Sequence, residues 1–173
     1  MPDSLEELWR RIDSGLADEQ EKIDTAVRSG ESKQERYIPL LVRLLDDEAS
    51  QVRYYALQSL VLDLRQKDSF MEARCWQLLK EDPGEEVRGM AAACLGSIYL
   101  NKRSAHVFRQ LLGELEGMSQ SPVVKASIYT SLFKLAGRPP MEWPGLKGPA
   151  RVFDEGDIDW EKIAWLQDQM TVP

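Results

Sequence analysis

Apolar residues recur along this chain at three- and four-residue spacing, and no segment alternates at a spacing of two. That is the pattern of helices with one buried stripe, not of strands. The clearest case is Asp82 to Leu100, where Val87, Ala91, Leu95 and Ile98 mark one face. Asp82, Pro83 and Glu85 read as its start: a capping side chain, a first-turn proline and an Asp-x-x-Glu box. The unit is written again on either side. Asp47, Val52-Arg53, Ala56 and Leu60 precede it by 35 residues, and Ser119, Val124-Lys125, Ile128 and Leu132 follow it by 37. Repetition is the expected answer to a stripe that one helix cannot bury alone.

Taken in order, Ser4 to Glu7 is a capping box opening a helix over 4–14, with Leu5, Leu8, Trp9 and Ile12 apolar and Gly15 as its stop. Asp18 to Glu21 opens a wetter helix to Ser29, which has only Ile23, Ala26 and Val27 to bury and is stopped by Gly30. This pair has the look of an end cap, with one apolar and one polar side. A helix over 33–46 follows, opened by Ser32 and kinked by Pro39. Asp47 caps its partner over 48–65. Ser69 opens the next, burying Phe70, Ala73, Trp76 and Leu79, and the helix from Asp82 completes that pair. The third pair covers 102–117 and 120–136, with Pro122 at the start of its second helix.

From Gly137 the chain is rich in proline and glycine yet still carries Met141, Trp143, Leu146, Val152 and Phe153. An extended strap lying against the helices is expected, followed by a last helix capped by Asp157 or Asp159, with Trp160, Ile163, Ala164 and Leu166 apolar. Strap and helix either cap the last pair or cross the concave face and control access to it. The organisation expected is a helical array over 1–137, with 1–31 as its capping pair, and a strap and helix over 138–173 packed on the same domain.

The hairpin repeating at 35 to 37 residues resembles HEAT repeats, and more narrowly the short bacterial class also found in phycobilisome lyase-type proteins. The residues that carry the likeness are Asp47, Val52, Arg53, Ala56 and Leu60; Asp82, Val87, Arg88, Ala91 and Leu95; and Val124, Lys125, Ile128 and Leu132 with Ser119 in place of the aspartate. It covers residues 32–136. It implies an all-α fold, a right-handed α-α superhelix of about four helix pairs. It also implies that second helices line the inner curve. Their non-core positions are Tyr54, Gln58 and Leu62, then Gly89, Ala93 and Ser97, then Ala126, Thr130 and Lys134. The middle row is small enough to let another chain approach closely, a partner or this protein's own Trp143 strap; the strap is the favoured occupant. Arg53, Arg88 and Lys125 are either a basic ladder for an acidic partner or structural residues, each paired with an inter-helix Asp of its own or a neighbouring unit.

Composition narrows the chemistry. The chain has 173 residues and a net charge of -7. Residues 1–31 hold nine acids and four bases, and 151–173 six acids and two bases, so both ends are acidic while the middle carries a net +2. Nucleic-acid binding needs a strong basic field, which is missing. No apolar run approaches the roughly 20 residues of a membrane span. The first residues lack the apolar core of a secretion signal, so a cytoplasmic protein is expected. Cys75 and Cys94 fall in helices, as buried free thiols do. His106 stands alone, with no metal-ligand spacing and no nucleophile beside it. Gly113 and Gly117 lack the lysine of a phosphate loop. The tryptophans at 76, 143, 160 and 165 read as packing.

The expectation is therefore a non-enzymatic, monomeric scaffold or adaptor that binds another protein along its inner helices, without cofactor or metal. Three other functions are weighed: an acidic immunity or inhibitor protein masking a basic toxin, a bilin lyase or chaperone on family likeness alone, and a HEAT-like DNA glycosylase, which the weakly charged middle disfavours.

Overall fold

The computed structural model describes residues 4–117, 120–144 and 153–171. It is all-helical, 74% helix, with helices packing against one another and no strand among the described residues. The chain divides into two compact units, Met1–Met71 and Glu72–Pro173.

In the first unit, α1 (Leu5–Asp13) is capped by Ser4, whose hydroxyl accepts the Glu7 N–H at 3.2 Å, and Gly15 ends it in the left-handed region at φ 68°. The second helix, α2 (Glu19–Glu31), opens with both halves of a capping box: Asp18 accepts from Glu21 N–H at 2.9 Å and Glu21 accepts from Asp18 N–H at 3.1 Å. Gly30 does not stop α2. It lies inside the helix, and the left-handed residue that ends it is Lys33, at φ 55°. The face of α2 that meets its neighbours is partly polar, and the polar groups are matched. Trp9 donates its indole N–H to the Ser29 hydroxyl at 2.9 Å, and Ser29 donates on to the Thr25 carbonyl.

The expected helix over 33–46 is shorter. A 3-10 turn (Glu35–Tyr37) leads into α3 (Ile38–Leu44), which places Pro39 in the first turn, where its missing N–H costs nothing and no kink results. Next, α4 (Ser50–Gln58) continues as a π-helical turn (Ser59–Asp63), so the 48–65 segment is not one regular helix.

At the junction, α5 (Ser69–Glu81) is capped by Asp68, which accepts the Met71 N–H at 2.9 Å, and not by Ser69. Its buried face is Met71, Cys75, Leu78 and Leu79; Phe70 is 54% exposed, Ala73 is exposed and Trp76 half-buried. The spacing allows two overlapping stripes one position apart, and the one built on Met71 and Cys75 is the one buried.

The second unit is organised by α6 (Glu85–Ile98) and α8 (Pro122–Leu135), with α7 (Ala105–Glu116) against α8 and α9 (Trp160–Thr171) against α7. α6 starts later than expected: Gly84 is its N-cap, and Asp82 sits in the turn before it. Asp159 opens α9, accepting the Lys162 N–H at 2.8 Å; the helix buries Ile163, Leu166 and Met170 and leaves Trp160 and Ala164 exposed. Cys75 and Cys94 are free and buried.

One helix contact occurs in both units. Ser59 donates its hydroxyl to the Ala26 carbonyl at 2.9 Å and lies over Gly30; Ser131 donates to the Ala92 carbonyl at 2.9 Å and lies over Gly96. A Cβ on Gly30 would stand 2.7 Å from the Ser59 Oγ, and one on Gly96 2.5 Å from the Ser131 Oγ. So a glycine four residues after an alanine lets a serine helix close on its neighbour until the hydroxyl reaches main chain. Val52, Val87 and Val124 are all fully buried, and the residue seven after each is Ser59, Cys94 and Ser131. The ends of the second helices repeat as well: Lys33, Arg65, Asn101 and Gly137 all have φ between 55° and 71°.

Two expected outcomes follow. Gly96→Ala forces its methyl against Ser131 and lowers stability by about 1–3 kcal/mol in urea unfolding. Gly113→Ala, in α7 with open space around it, raises stability by about 0.5–1 kcal/mol in the same assay.

Candidate functional site

The repeated basic residues resolve into a turn clamp. Asp47 accepts the Ala49 N–H at 3.0 Å, and Asp82 accepts the Gly84 N–H at 2.8 Å, so each aspartate closes the turn that leads into a second helix. Six residues on, Arg53 Nη1 donates to the main-chain oxygens of Asp47 and Glu48 at 2.7 and 2.8 Å. Arg88 Nη1 does the same to Asp82 and Pro83, at 2.8 and 3.3 Å. A guanidinium spans two carbonyls in one plane, which a lysine ammonium does not. Each of these two arginines thus bonds to the main chain of its own turn. In the first unit Lys22 adds an ion pair to Asp47 at 2.7 Å.

The third basic residue behaves differently. Lys125 is buried, its side chain 8% exposed, and its ammonium meets the Glu155 carboxylate, itself 71% exposed. Ser119, its expected turn partner, lies outside the described residues, as do Leu146 and Val152 of the strap. Lys125 is thus one of a set of α8 side chains engaged by the chain beyond Gly137. Tyr129 lies 6.4 Å ring to ring from Phe153 and accepts the Asp159 N–H at 3.1 Å; burial raises its phenol pKa. Thr130 donates to the Pro144 carbonyl at 3.1 Å. The Lys134 ammonium lies 5.0 Å from the centre of the Trp143 ring, and burial lowers its pKa. Trp143 is itself fixed by its indole N–H on the Arg138 carbonyl at 2.7 Å. Met141, expected to pack, is 89% exposed.

The residues expected to contact a partner therefore fall into three groups. Tyr54 and Gln58 are half-buried on α4, and Leu62 is 42% exposed in the π-helical turn. On α6, Gly89 is buried beneath Val123 and Ser127 of α8, while Ala93 and Ser97 are half-buried. At Gly89 and Gly96 the closely approaching chain is α8. Thr130 and Lys134 are where the strap lies. Of the expected strap anchors, Trp143 and Phe153 make contacts, and Trp160 stays 47% exposed. His106 is exposed at the start of α7. Among the described residues no three His, Cys, Asp or Glu side chains gather at metal-binding distance, and no helix is long and apolar enough to cross a membrane.

Sequence reasoning missed Ser59 and Ser131, the hydroxyls that key second helices together. The available signal was their shared position seven residues after Val52 and Val124. It also missed Tyr99, whose hydroxyl bonds the Glu72 carboxylate; burial, then that bond, push its pKa up to about 12. No family model, no characterised protein and no solved structure matches the chain in comparisons with each.

Arg88→Ala leaves two turn carbonyls without their charged donor, and a loss of about 1–3 kcal/mol is expected in urea unfolding, with helix content retained. The Tyr99 proton is held more tightly in the folded chain than in the unfolded one. Its contribution is complete below the ordinary tyrosine value of 10.0 and is lost as pH rises toward about 12. Wild type should therefore lose stability relative to Tyr99→Phe across that interval, measured by thermal melts at stepped pH.

Proposed function

We propose that this chain is a HEAT-like repeat protein that works as a non-enzymatic, protein-binding adaptor. The observation that carries the reading is the turn clamp, Asp-x-(Ala/Gly) closed by an arginine six residues on, built at Asp47–Arg53 and again at Asp82–Arg88. Repeated hairpins with a stereotyped turn leave the outer positions of second helices free to vary, and partner recognition in such arrays uses those positions. Support for a binding role, and not a catalytic one, comes from how the polar groups are spent. The buried or half-buried ones described above bond to main chain or to one another in ways that hold helices and turns.

Within the first unit, Tyr54, Gln58 and Leu62 supply the partner-facing row. Tyr54 packs edge-on to Tyr55 at 5.1 Å, which gives that row a fixed aromatic anchor, the kind of side chain that dominates interface energetics. In the second unit, the corresponding α8 positions are occupied by Trp143 and Pro144, so the strap holds the place a partner segment would take.

The test is affinity capture on the immobilised 173-residue chain, with Tyr54→Ala/Leu62→Glu as the paired variant and mass spectrometry as readout. A protein retained by wild type and depleted at least about tenfold on the variant is the expected outcome. Retention of nothing above background, or equal retention by both, contradicts it.

A further inference from the structure

A concave cavity of about 610 Å³ opens within the second unit, between the α6–α7 turn, the end of α8 and the inner face of α9. Asn101, Arg103, Gly137, Arg138, Leu166 and Gln169 line it, and among the described residues no acidic one does. In a chain of net charge -7, this is a place that gathers two guanidinium groups and two carboxamides.

The donors are held in position by the protein itself. Arg138 presents Nε and Nη2 to Glu142 at 2.8 and 2.7 Å and stacks over the Trp165 ring at 5.0 Å, which leaves Nη1 unused by those bonds. Arg103 gives one Nη2 bond to the Gln169 carbonyl at 2.8 Å and has no carboxylate partner among the described residues. Lys162, over the same Trp165 ring at 4.4 Å and 4.0 Å from Glu142, adds a further positive charge nearby. Glu142 pairs with Arg138, and Arg103 lines the cavity with its charge unpaired by any carboxylate among the described residues.

The end of α8 points the wrong way for an anion, because helix C-termini carry partial negative charge. Here that charge is covered. The Phe133 carbonyl accepts the Arg138 N–H at 3.0 Å, Lys134 accepts from Asn101 and Gly137 at 3.1 and 3.2 Å, and Leu135 accepts from Arg103 at 3.2 Å. Asn101 and Arg103 hold left-handed backbone, φ 61° and 50°, to make these bonds. The carbonyls are thereby turned into the framework, and the Arg103 side chain is delivered to the cavity.

We infer that this cavity binds an oxyanion, a phosphate- or carboxylate-bearing ligand, gripped by Arg103 and the free edge of Arg138 with Asn101 and Gln169 as amide donors. Bidentate guanidinium contacts suit both groups. The site is independent of the partner-binding row on α4.

Calorimetric titration of the full chain with inorganic phosphate, pyrophosphate and citrate tests it. One saturable site per chain is expected for at least one of the three, with half-saturation near or below about 1 mM. Tighter binding of the phosphates assigns a phosphate ligand, and tighter binding of citrate a carboxylate one. Arg103→Gln should weaken binding at least about tenfold, as should Asn101→Asp, which keeps a residue tolerant of left-handed backbone and adds a negative charge to the wall. Arg109→Gln, on exposed α7 surface outside the cavity, should leave it unchanged. If Arg103→Gln melts early, Asn101→Asp alone decides. No saturable heat from any of the three anions up to about 10 mM, or equal binding by wild type and the folded variants, overturns the inference.

Discussion

The structure depends on how closely one second helix can approach the next. Two helices meet at 8–10 Å when ordinary side chains separate them, and closer when one offers only hydrogen at the contact. Gly30 and Gly96 make that offer, and Ser59 and Ser131 use it by dropping a hydroxyl onto the Ala26 and Ala92 carbonyls. The close approach ties this contact to one register. Sliding the helices by a turn would break the inter-helix bonds, leave Ser131 only the Ser127 carbonyl of its own helix at 2.8 Å, and drive a side chain into the backbone opposite.

The turn clamp plays the complementary part. It does not pull helices together; it fixes where each one begins. An aspartate closing onto the second N–H after it, with an arginine spanning two carbonyls of the same turn, satisfies main-chain groups that packing cannot reach. Arg53 is buried while doing so. Lys125, at the same place in the repeat, is buried and pairs with Glu155, and this is where the strap and last helix attach. At this position of the repeat the basic residue meets a carboxylate of the C-terminal segment.

Much of the fold was legible because amphipathic spacing and caps are local. Ser4, Asp18, Gly15 and Pro122 act where the pattern placed them. Errors arose where two readings of similar local merit competed and a non-local contact chose between them. Gly30 looks like a stop signal, and it is instead the floor of a helix crossing. Phe70 looks like core, but the stripe of Met71 and Cys75 is the one buried. Asp82 looks like a helix cap, and it closes a turn two residues earlier. The partner-facing row was legible as positions on helices. That α8 fills the space over Gly89, and that Trp143 and Pro144 cover Lys134 and Thr130, follows from tertiary packing that spacing does not encode.

The central claim is that the glycine–serine contact, and not generic apolar packing, sets the distance between second helices. A double-mutant cycle on Gly96→Ala and Ser131→Gly in urea measures it directly. A coupling of about 1 kcal/mol or more is expected, because removing the serine side chain makes room for the added methyl. Additive effects of the two substitutions, within about 0.3 kcal/mol, contradict it.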